Sequence, residues 1–417
     1  MDLVPFAIPF FFLAMAIEFA YGVIKGHNTY RINDSVSSLF MGTLRTASKL
    51  VLIGLGGAVF AAIEQHYALW RMDTAHWGTW VFAFVAYDLC YYWNHRIGHE
   101  RQVFWASHVA HHQSEEYNLT TALRQTSTGF LLSWLFYIPM FLVGVPAEVY
   151  VTVASANLIY QYWVHTEHIP KLGWYEWVFV TPSNHRVHHA QNDRYVDRNY
   201  GGVFILWDRL FGTFQEELDE EPCIFGIRGP LHTFSPLWAN LHIYVAIVQD
   251  AWHTRRWKDK LRVLVARTGW RPDDVAERFP REKTDLEDFH KYDPSVGPAI
   301  SIYALIQLVV VMAVGIALLF VPGLSWTTTA AVVALMLLTM VCTGHWLDGR
   351  RALREELLRL ALIAVIAGLG WTAGFGLALA LSVAAYVVVN LLVLPLLARS
   401  AGADYALADM GLARRSA

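Results

Sequence analysis

Ten of the chain's 18 histidines fall between positions 95 and 189, in a pattern that could bind metal. His95 and His99 form an HxxxH pair, and His108, His111 and His112 form an HxxHH box. His165 and His168 follow, and His185, His188 and His189 make a second HxxHH box. On a helix, positions i, i+3 and i+4 share one face, so each box is expected to aim its imidazoles at a common point. Eight to ten imidazoles exceed what one ion accepts, because a zinc site uses three or four ligands. Two ions are therefore implied. Imidazole suits zinc, copper, iron and nickel alike. Iron is favoured by the setting, at the ends of apolar helices with no hydrolase nucleophile nearby. Attack on an alkyl C–H bond there would call for activated O2, which redox-active iron generates and zinc does not. The other eight histidines, His27, His66, His76, His232, His242, His253, His290 and His345, are isolated and read as surface or interfacial groups.

The elements that must hold these boxes are read from hydropathy. The chain is 55% hydrophobic and only 16% charged, with a mean hydropathy of +0.33, too apolar for a soluble enzyme of 417 residues. A span of the bilayer core needs roughly 20 apolar helical residues. Spans are predicted at Val4–Val23, Ala47–Ile63, Trp80–Trp93, Phe130–Val145, Ala147–Val164, Ala299–Phe320, Thr328–Val341, Leu357–Thr372 and Gly374–Leu397, the shorter ones re-entrant. A polar block lies between Val164 and Ser295, with an amphipathic piece at Leu237–Trp252 suited to the headgroup layer. Lys25, Arg31, Arg45 and Lys49 after the first span, and Arg350, Arg351, Arg354 and Arg359 between the seventh and eighth, belong on the cytoplasmic side. That orientation puts the polar block, the histidine boxes and the Arg414-Arg415 tail in the cytoplasm, whether the membrane is a bacterial inner membrane or the endoplasmic reticulum. The N-terminus has no basic n-region, so its first span is expected to stay as an anchor.

The expected fold is thus all-α, a polytopic membrane protein with a cytoplasmic helical cap holding a histidine-rich di-iron site. Its expected parts are N-terminal spans (1–79), an oxygenase core (80–225), an interfacial segment (226–296), C-terminal spans (297–400) and a cytoplasmic tail (401–417). A net charge of −3 and the lack of a basic tract exclude a nucleic-acid surface. Cys90, Cys223 and Cys342 form no CxxC, which argues against disulfide, zinc-thiolate and iron–sulfur sites. No dinucleotide-binding GxGxxG, CxxCH or fused redox domain occurs, so electrons must come from an external donor.

Polar companions complete the candidate site. Glu100, Glu115 and Glu116 could accept the distal N–H of a ligating imidazole, or be solvated charges at helix ends. Asn118, Arg124 and Gln125 could hold a polar headgroup or the reductant, or form a polar loop network. Glu100, Glu115 and Asn118 are the catalytic candidates. Asp208-Arg209, beside Phe211-Gly212, reads as a turn with an internal ion pair, and Trp105, Trp163 and Trp207 as packing.

The stretches His95–Glu100, His108–Gln125, Trp163–Glu167, Thr181–His189 and Asn199–Gly202 running to Trp207–Phe214 resemble the fatty acid hydroxylase/sterol desaturase superfamily, and most closely its ether-lipid branch. The resemblance is strong over about 80–216. It implies that His95, His99, His108, His111, His112, His165, His185, His188 and His189 ligate two irons, with His168 outside them. It also implies O2 and a membrane lipid as substrates and a tetrahydropterin as reductant. Oxygen would enter beside the ether oxygen of an alkylglycerol, and an unstable hemiacetal would release an aldehyde and glycerol. The same boxes also fit a sterol or acyl-lipid hydroxylase or desaturase. A histidine-rich metal transporter would need ionisable ligands at mid-membrane, where the spans offer little beyond Glu18 and Asp88.

Overall fold

A computed structural model describes residues 1–52, 54–321, 323–372 and 376–409 of the chain. The predicted Arg414-Arg415 tail and the Gly374 start of the last span lie outside them. Among the described residues the chain is helical, with isolated β-bridges but no strand. In order the helices are α1 (Val4–Lys25), α2 (Ile32–Ser48), α3 (Leu55–His66), α4 (Trp77–Glu100), α5 (Gln102–Ala106), α6 (Leu119–Leu123), α7 (Ile138–Leu142), α8 (Ala147–Trp163), α9 (Pro182–His189) and α10 (Leu206–Phe211). They continue with α11 (Pro236–His253), α12 (Trp257–Val265), α13 (Asp273–Arg278), α14 (Pro298–Phe320), α15 (Trp326–Leu347), α16 (Leu353–Thr372) and α17 (Leu377–Asp409).

Four of these helices, among the described residues, are long and apolar enough to cross a membrane: α1, α14, α15 and the Leu377–Ala401 part of α17. Two predicted spans are not single helices. Ala47–Ile63 breaks where α2 ends in a turn after Ser48 and α3 starts beyond Gly54. Phe130–Val145 divides into two 3-10 turns and the short α7, which carries Pro139 in its first turn and ends at Leu142, shortly before Gly144 with φ of 93°. Average hydropathy does not register these breaks, because proline removes a backbone donor and glycine permits left-handed backbone without making a segment polar.

The chain forms two compact units. The first comprises Met1–Arg31, Ile53–Leu231 and Asn240–His290. In it α4 packs on α8 through a core that includes Ala83, Tyr137, Met140, Phe141, Val149 and Val153. Both helices therefore deliver their C-terminal ends to the same place. Two buried carboxylates, one on α4 and one on α1, fasten loops within this unit. Asp88 of α4 accepts from the Val203 and Phe204 amides (both 2.9 Å), Trp207 Nε1 (3.0 Å) and Asn157 Nδ2 (2.6 Å). A Cβ at Gly202 would lie 2.8 Å from Asp88 Oδ1, so only glycine lets this loop come so close. Glu18 of α1 accepts from Tyr30 Oη (2.5 Å), the Leu119 amide (2.9 Å) and Thr166 Oγ1 (2.5 Å). A carboxylate is tolerated in such places only when several donors satisfy it.

The second unit comprises Ile32–Leu52, His232–Ala239 and Lys291–Ala417. Its apolar core draws on α2, α14, α15, α16 and α17, with Phe40, Leu308, Met340, Trp346 and Leu397 buried. Inside it Arg359 and Glu356 are fully buried, 2.7 Å apart. Arg359, expected among the cytoplasmic loop cations, is instead an interior residue of α16, satisfied by partners that hydropathy cannot foresee.

Candidate metal centre

The structure gathers all nine predicted ligands into two adjoining groups. His95, His99, His108, His112 and His188 form one, and His111, His165, His185 and His189 the other. His95 and His99 occupy the last turns of α4, and His165 follows the end of α8. His111 and His112 lie on the 3-10 turn Val109–Gln113, with His108 at its N-cap. α9 carries the last three, its first turn closed by a Thr181–Asn184 capping box and opened by Pro182. The HxxHH boxes do not each converge on one point, as the spacing suggested. In both, the residues at i and i+4 join one group and the residue at i+3 joins the other. Neighbouring helix positions diverge by about 100°, so a His-His pair straddles two sites. His112 and His189, from different groups, stack at 4.3 Å between ring centroids.

Backbone carbonyls set the chemistry of these rings. The Nδ1 atoms of His95, His111 and His165 each lie 2.8 Å from a carbonyl oxygen, of Tyr200, Arg124 and Gln161 respectively. His188 Nδ1 lies 2.9 Å from the Arg198 carbonyl. A carbonyl only accepts, so each Nδ1 carries the proton and each Nε2 presents a lone pair. His111 and His165 then face each other Nε2 to Nε2 at 3.3 Å with no proton between them. His188 Nε2 is buried without any hydrogen-bond partner. Two facing lone pairs repel unless a cation takes both, so this donor set fits metal. Other Nε2 pairs within the groups, such as His95–His108, His99–His112 and His165–His185, are 3.1 Å apart. Two nitrogens about 2.1 Å from one ion and at right angles would be about 3.0 Å apart.

Burial keeps the rings in their ligating form. It pushes the His95 imidazolium down to about 3 and holds His99, His108, His112, His165, His185, His188 and His189 well below the usual histidine range, with mutual repulsion adding to the effect.

The acidic companions stand elsewhere than expected. Glu100 pairs with Arg96 at 2.9 Å, Glu116 pairs with Arg31, and Glu115 is half-buried beside Gly226. For four rings the acceptors are carbonyls. Asp197 brings a carboxylate to 3.9 Å from His99 Nδ1, from a position with left-handed backbone (φ 59°). Asn118 caps α6: its Oδ1 accepts from the Thr120 amide at 2.9 Å, and its Nδ2 donates to the Thr29 carbonyl at 2.6 Å. Arg124 donates to the Ala110 carbonyl at 2.9 Å, and Gln125 to the Ala122 carbonyl at 3.0 Å. Asp208 does not pair with Arg209; it accepts from the Tyr200 and Gly201 amides, both at 2.7 Å. His168 lies outside both groups, its ring 5.2 Å from Tyr21 and 5.6 Å from His27.

Sequence reasoning missed two supports. Arg186, inside the second box, makes a two-pronged bond to Glu217 (2.7 Å each) and donates to the Thr166 and Ile169 carbonyls, bracing the loop that carries His165. Tyr117 flanks His165 and His189 and donates to the Val164 carbonyl at 3.0 Å. Nothing in either residue type signals this.

All nine histidines lie within residues 80–213, the part of the chain that matches the fatty acid hydroxylase family. Similarity to curated proteins extends well beyond that region. The chain is 34% identical over 372 residues to alkylglycerol monooxygenase of Homo sapiens, covering 88% of this chain and 82% of the relative. With alkylglycerol monooxygenase of Danio rerio it shares 35% identity over 395 residues, 92% of this chain and 86% of the relative. An ornithine lipid hydroxylase of Rhizobium tropici is 28% identical over 170 residues, 40% of this chain and 51% of the relative. No solved structure matches. The chain belongs to the alkylglycerol monooxygenase family, and it is an O2-dependent oxidoreductase carrying a histidine centre able to hold metal.

Proposed function

We propose that this protein is a membrane-bound di-iron monooxygenase that cleaves the O-alkyl bond of an alkylglycerol-type ether lipid. The observation that carries the metal reading is the gathering of nine imidazoles five and four, four of them with the Nε2 lone pair fixed by a carbonyl-bound Nδ1–H group. Five imidazoles around one position exceed the zinc pattern and suit a first-row redox metal. The ether-lipid reading rests on relatives matched over more than four-fifths of their length, both units of the fold included.

His95, His99, His108, His112 and His188 would hold one iron, and His111, His165, His185 and His189 the other. When bound, two irons supply the power to use O2 against an unactivated C–H bond. The protein's part is to keep the buried imidazoles neutral, to fix the tautomer of four of them through backbone carbonyls, and to shield the centre from water. In balance, O2, two electrons and two protons place one oxygen on the carbon beside the ether oxygen and release one water. The hemiacetal then opens to an aldehyde and glycerol. The reductant is external, a tetrahydropterin by the family's example. Basic loops set the histidine centre on the cytoplasmic side, and the substrate's alkyl chain enters sideways from the bilayer. The 80–225 segment acts as the oxygenase core, with Glu100, Glu115 and Asn118 as its polar surroundings. A sterol or acyl-lipid hydroxylase is the second reading, supported by the core-only match to the ornithine lipid hydroxylase.

The deciding experiment uses the full chain in detergent: metal analysis, then O2-dependent aldehyde release from an alkylglycerol with and without a tetrahydropterin. About two irons per chain and aldehyde formation that disappears in His111→Ala support the reading. Iron without ether cleavage redirects the search to sterols and acyl lipids. Zinc, or failure to retain any metal after anaerobic preparation, sinks it.

A further inference from the structure

The geometry points to a docking site for the phosphate headgroups of anionic membrane lipids at α12 and the loop after it. α12 buries one side, where Val263 joins Ala106 and Ile247 in a small core. Its other side stays apolar and exposed: Trp257 (81%), Leu261 (72%), Leu264 and Val265 recur at i, i+4, i+7 and i+8, which is one helical stripe. Water is a poor partner for such a stripe, whereas the boundary between headgroups and acyl chains accepts it.

Charge chooses the occupant. Beside the stripe a cleft of about 330 Å³ is lined by Arg101, Arg262, Val265, Ala266, Arg267 and Trp270. Arg262 stacks on Trp270 at 4.3 Å, which keeps its guanidinium edge free to donate. Among the described residues none of the three arginines forms an ion pair with a carboxylate. Arg101 spends one N–H on the Val265 carbonyl at 3.3 Å, and three guanidiniums lining one cleft match phosphate in charge and in donor type. A membrane phospholipid satisfies cleft and stripe together, since its phosphate and acyl chains are joined; free phosphate would satisfy only the cleft.

The dock is laced to the metal centre's scaffold. Arg101 directly follows α4, Arg101 and Arg267 form a β-bridge, and the Gln102 amide donates to the Ala266 carbonyl at 3.1 Å. Thr268 Oγ1 donates to the carbonyl of His99 itself. Headgroup capture therefore holds the end of α4 that bears His95 and His99 at a fixed distance from the bilayer surface.

The test places an environment-sensitive fluorophore on Leu261→Cys in the full chain, with the unsubstituted protein carried through the same labelling as a blank. The protein is reconstituted in nanodiscs of phosphatidylcholine, with or without phosphatidylglycerol, carrying lipids spin-labelled near the glycerol backbone. The expected result is quenching by lipid that strengthens with phosphatidylglycerol and weakens with added salt. Headgroup affinity should fall on the order of 100-fold in R101Q/R262Q/R267Q and recover in part in the corresponding triple lysine variant, which keeps the charge but not the forked donors. Quenching that ignores lipid charge, salt and the arginines overturns the proposal. So does a shielded fluorophore that lipid cannot quench, which would mean that a second copy or another protein covers the face. Salt dependence with all three arginines in place decides between these outcomes even if the triple glutamine variant fails to fold. None of these readouts depends on metal or turnover, so they stand apart from the oxygenase reading.

Discussion

Both units of this protein bury polar side chains deeply, and they treat them in opposite ways. In the second unit Arg359 bonds to Glu356 (2.8 Å), Tyr303 (3.0 Å), Asn390 (3.1 Å) and Tyr386 (2.5 Å), while Trp346 (3.2 Å) and Tyr303 (2.9 Å) donate to Glu356. Gln307 and Asn390 close the ring at 2.9 Å. Each donor there meets an acceptor, so the network is complete without a ligand. In the first unit four imidazoles meet a backbone carbonyl at Nδ1, while on the inner side His111 and His165 face each other Nε2 to Nε2 at 3.3 Å and His188 Nε2 meets no hydrogen-bond partner. Buried polarity that closes on itself specifies packing; buried polarity left open on one side specifies something to be bound.

The largest effect should come from opening the centre further. Removing one of its inward nitrogens in His111→Ala or His188→Ala should lower metal content and O2-dependent turnover by more than about 100-fold, the upper range for losing a mere outer partner of a ligand. Metal analysis together with aldehyde release measures this. Full metal occupancy in both variants would mean that the first unit's polar groups are self-sufficient after all.

The second unit should respond through stability alone. Arg359→Met leaves Glu356 buried beside neutral partners and should cost about 3–5 kcal/mol, read as a lower unfolding midpoint in detergent. Pairing it with Glu356→Gln should recover much of that loss. Metal per folded chain should stay unchanged in both, and a fall would mean that this network serves the centre directly.

Asp208 tests how far the centre's supports resemble the closed network. Its burial pushes the carboxyl up to about 6 from its ordinary 3.8. The folded chain then holds this proton more tightly than the unfolded chain, so ionisation weakens the fold: the penalty is absent below about pH 4, grows towards pH 6 and is constant above it. Asp208→Asn should cost about 1–3 kcal/mol through the amide acceptor it loses. The difference in unfolding free energy between the two proteins should change between pH 4 and 6 and stay flat above. A difference that stays constant down to pH 4 would show that Asp208 ionises normally.

These contrasts also mark what sequence could reveal. The nine histidines were legible because ligands are side chains of one type at helical spacing, and α1, α14 and α15 because a long apolar run has few alternatives. The five-and-four division was not, since it depends on how α9 and the Val109–Gln113 turn face each other. The carbonyls of Tyr200, Arg124, Gln161 and Arg198 were invisible because every residue has one. Arg359 was misplaced because a charge beside an apolar run looks like a loop cation until Glu356 and Tyr303 are brought to it.

The smallest predicted effect concerns Asn118, which sequence offered as a catalytic group and the structure uses as a cap. Its Oδ1 accepts from the Thr120 amide and hydroxyl, and its amide group is spent on the Thr29 carbonyl. Serine can replace the oxygen that caps α6 but not the donor, whereas alanine replaces neither. Asn118→Ala should therefore cost about 1 kcal/mol in stability, with Asn118→Ser in between, while both keep their metal. Turnover per metal-loaded chain separates the two roles: a cap that only closes α6 leaves it near wild type in Asn118→Ser. If that variant keeps stability and metal yet loses turnover, Asn118 belongs with the open polarity of the centre, and the Thr29 contact must be one that the reacting enzyme gives up.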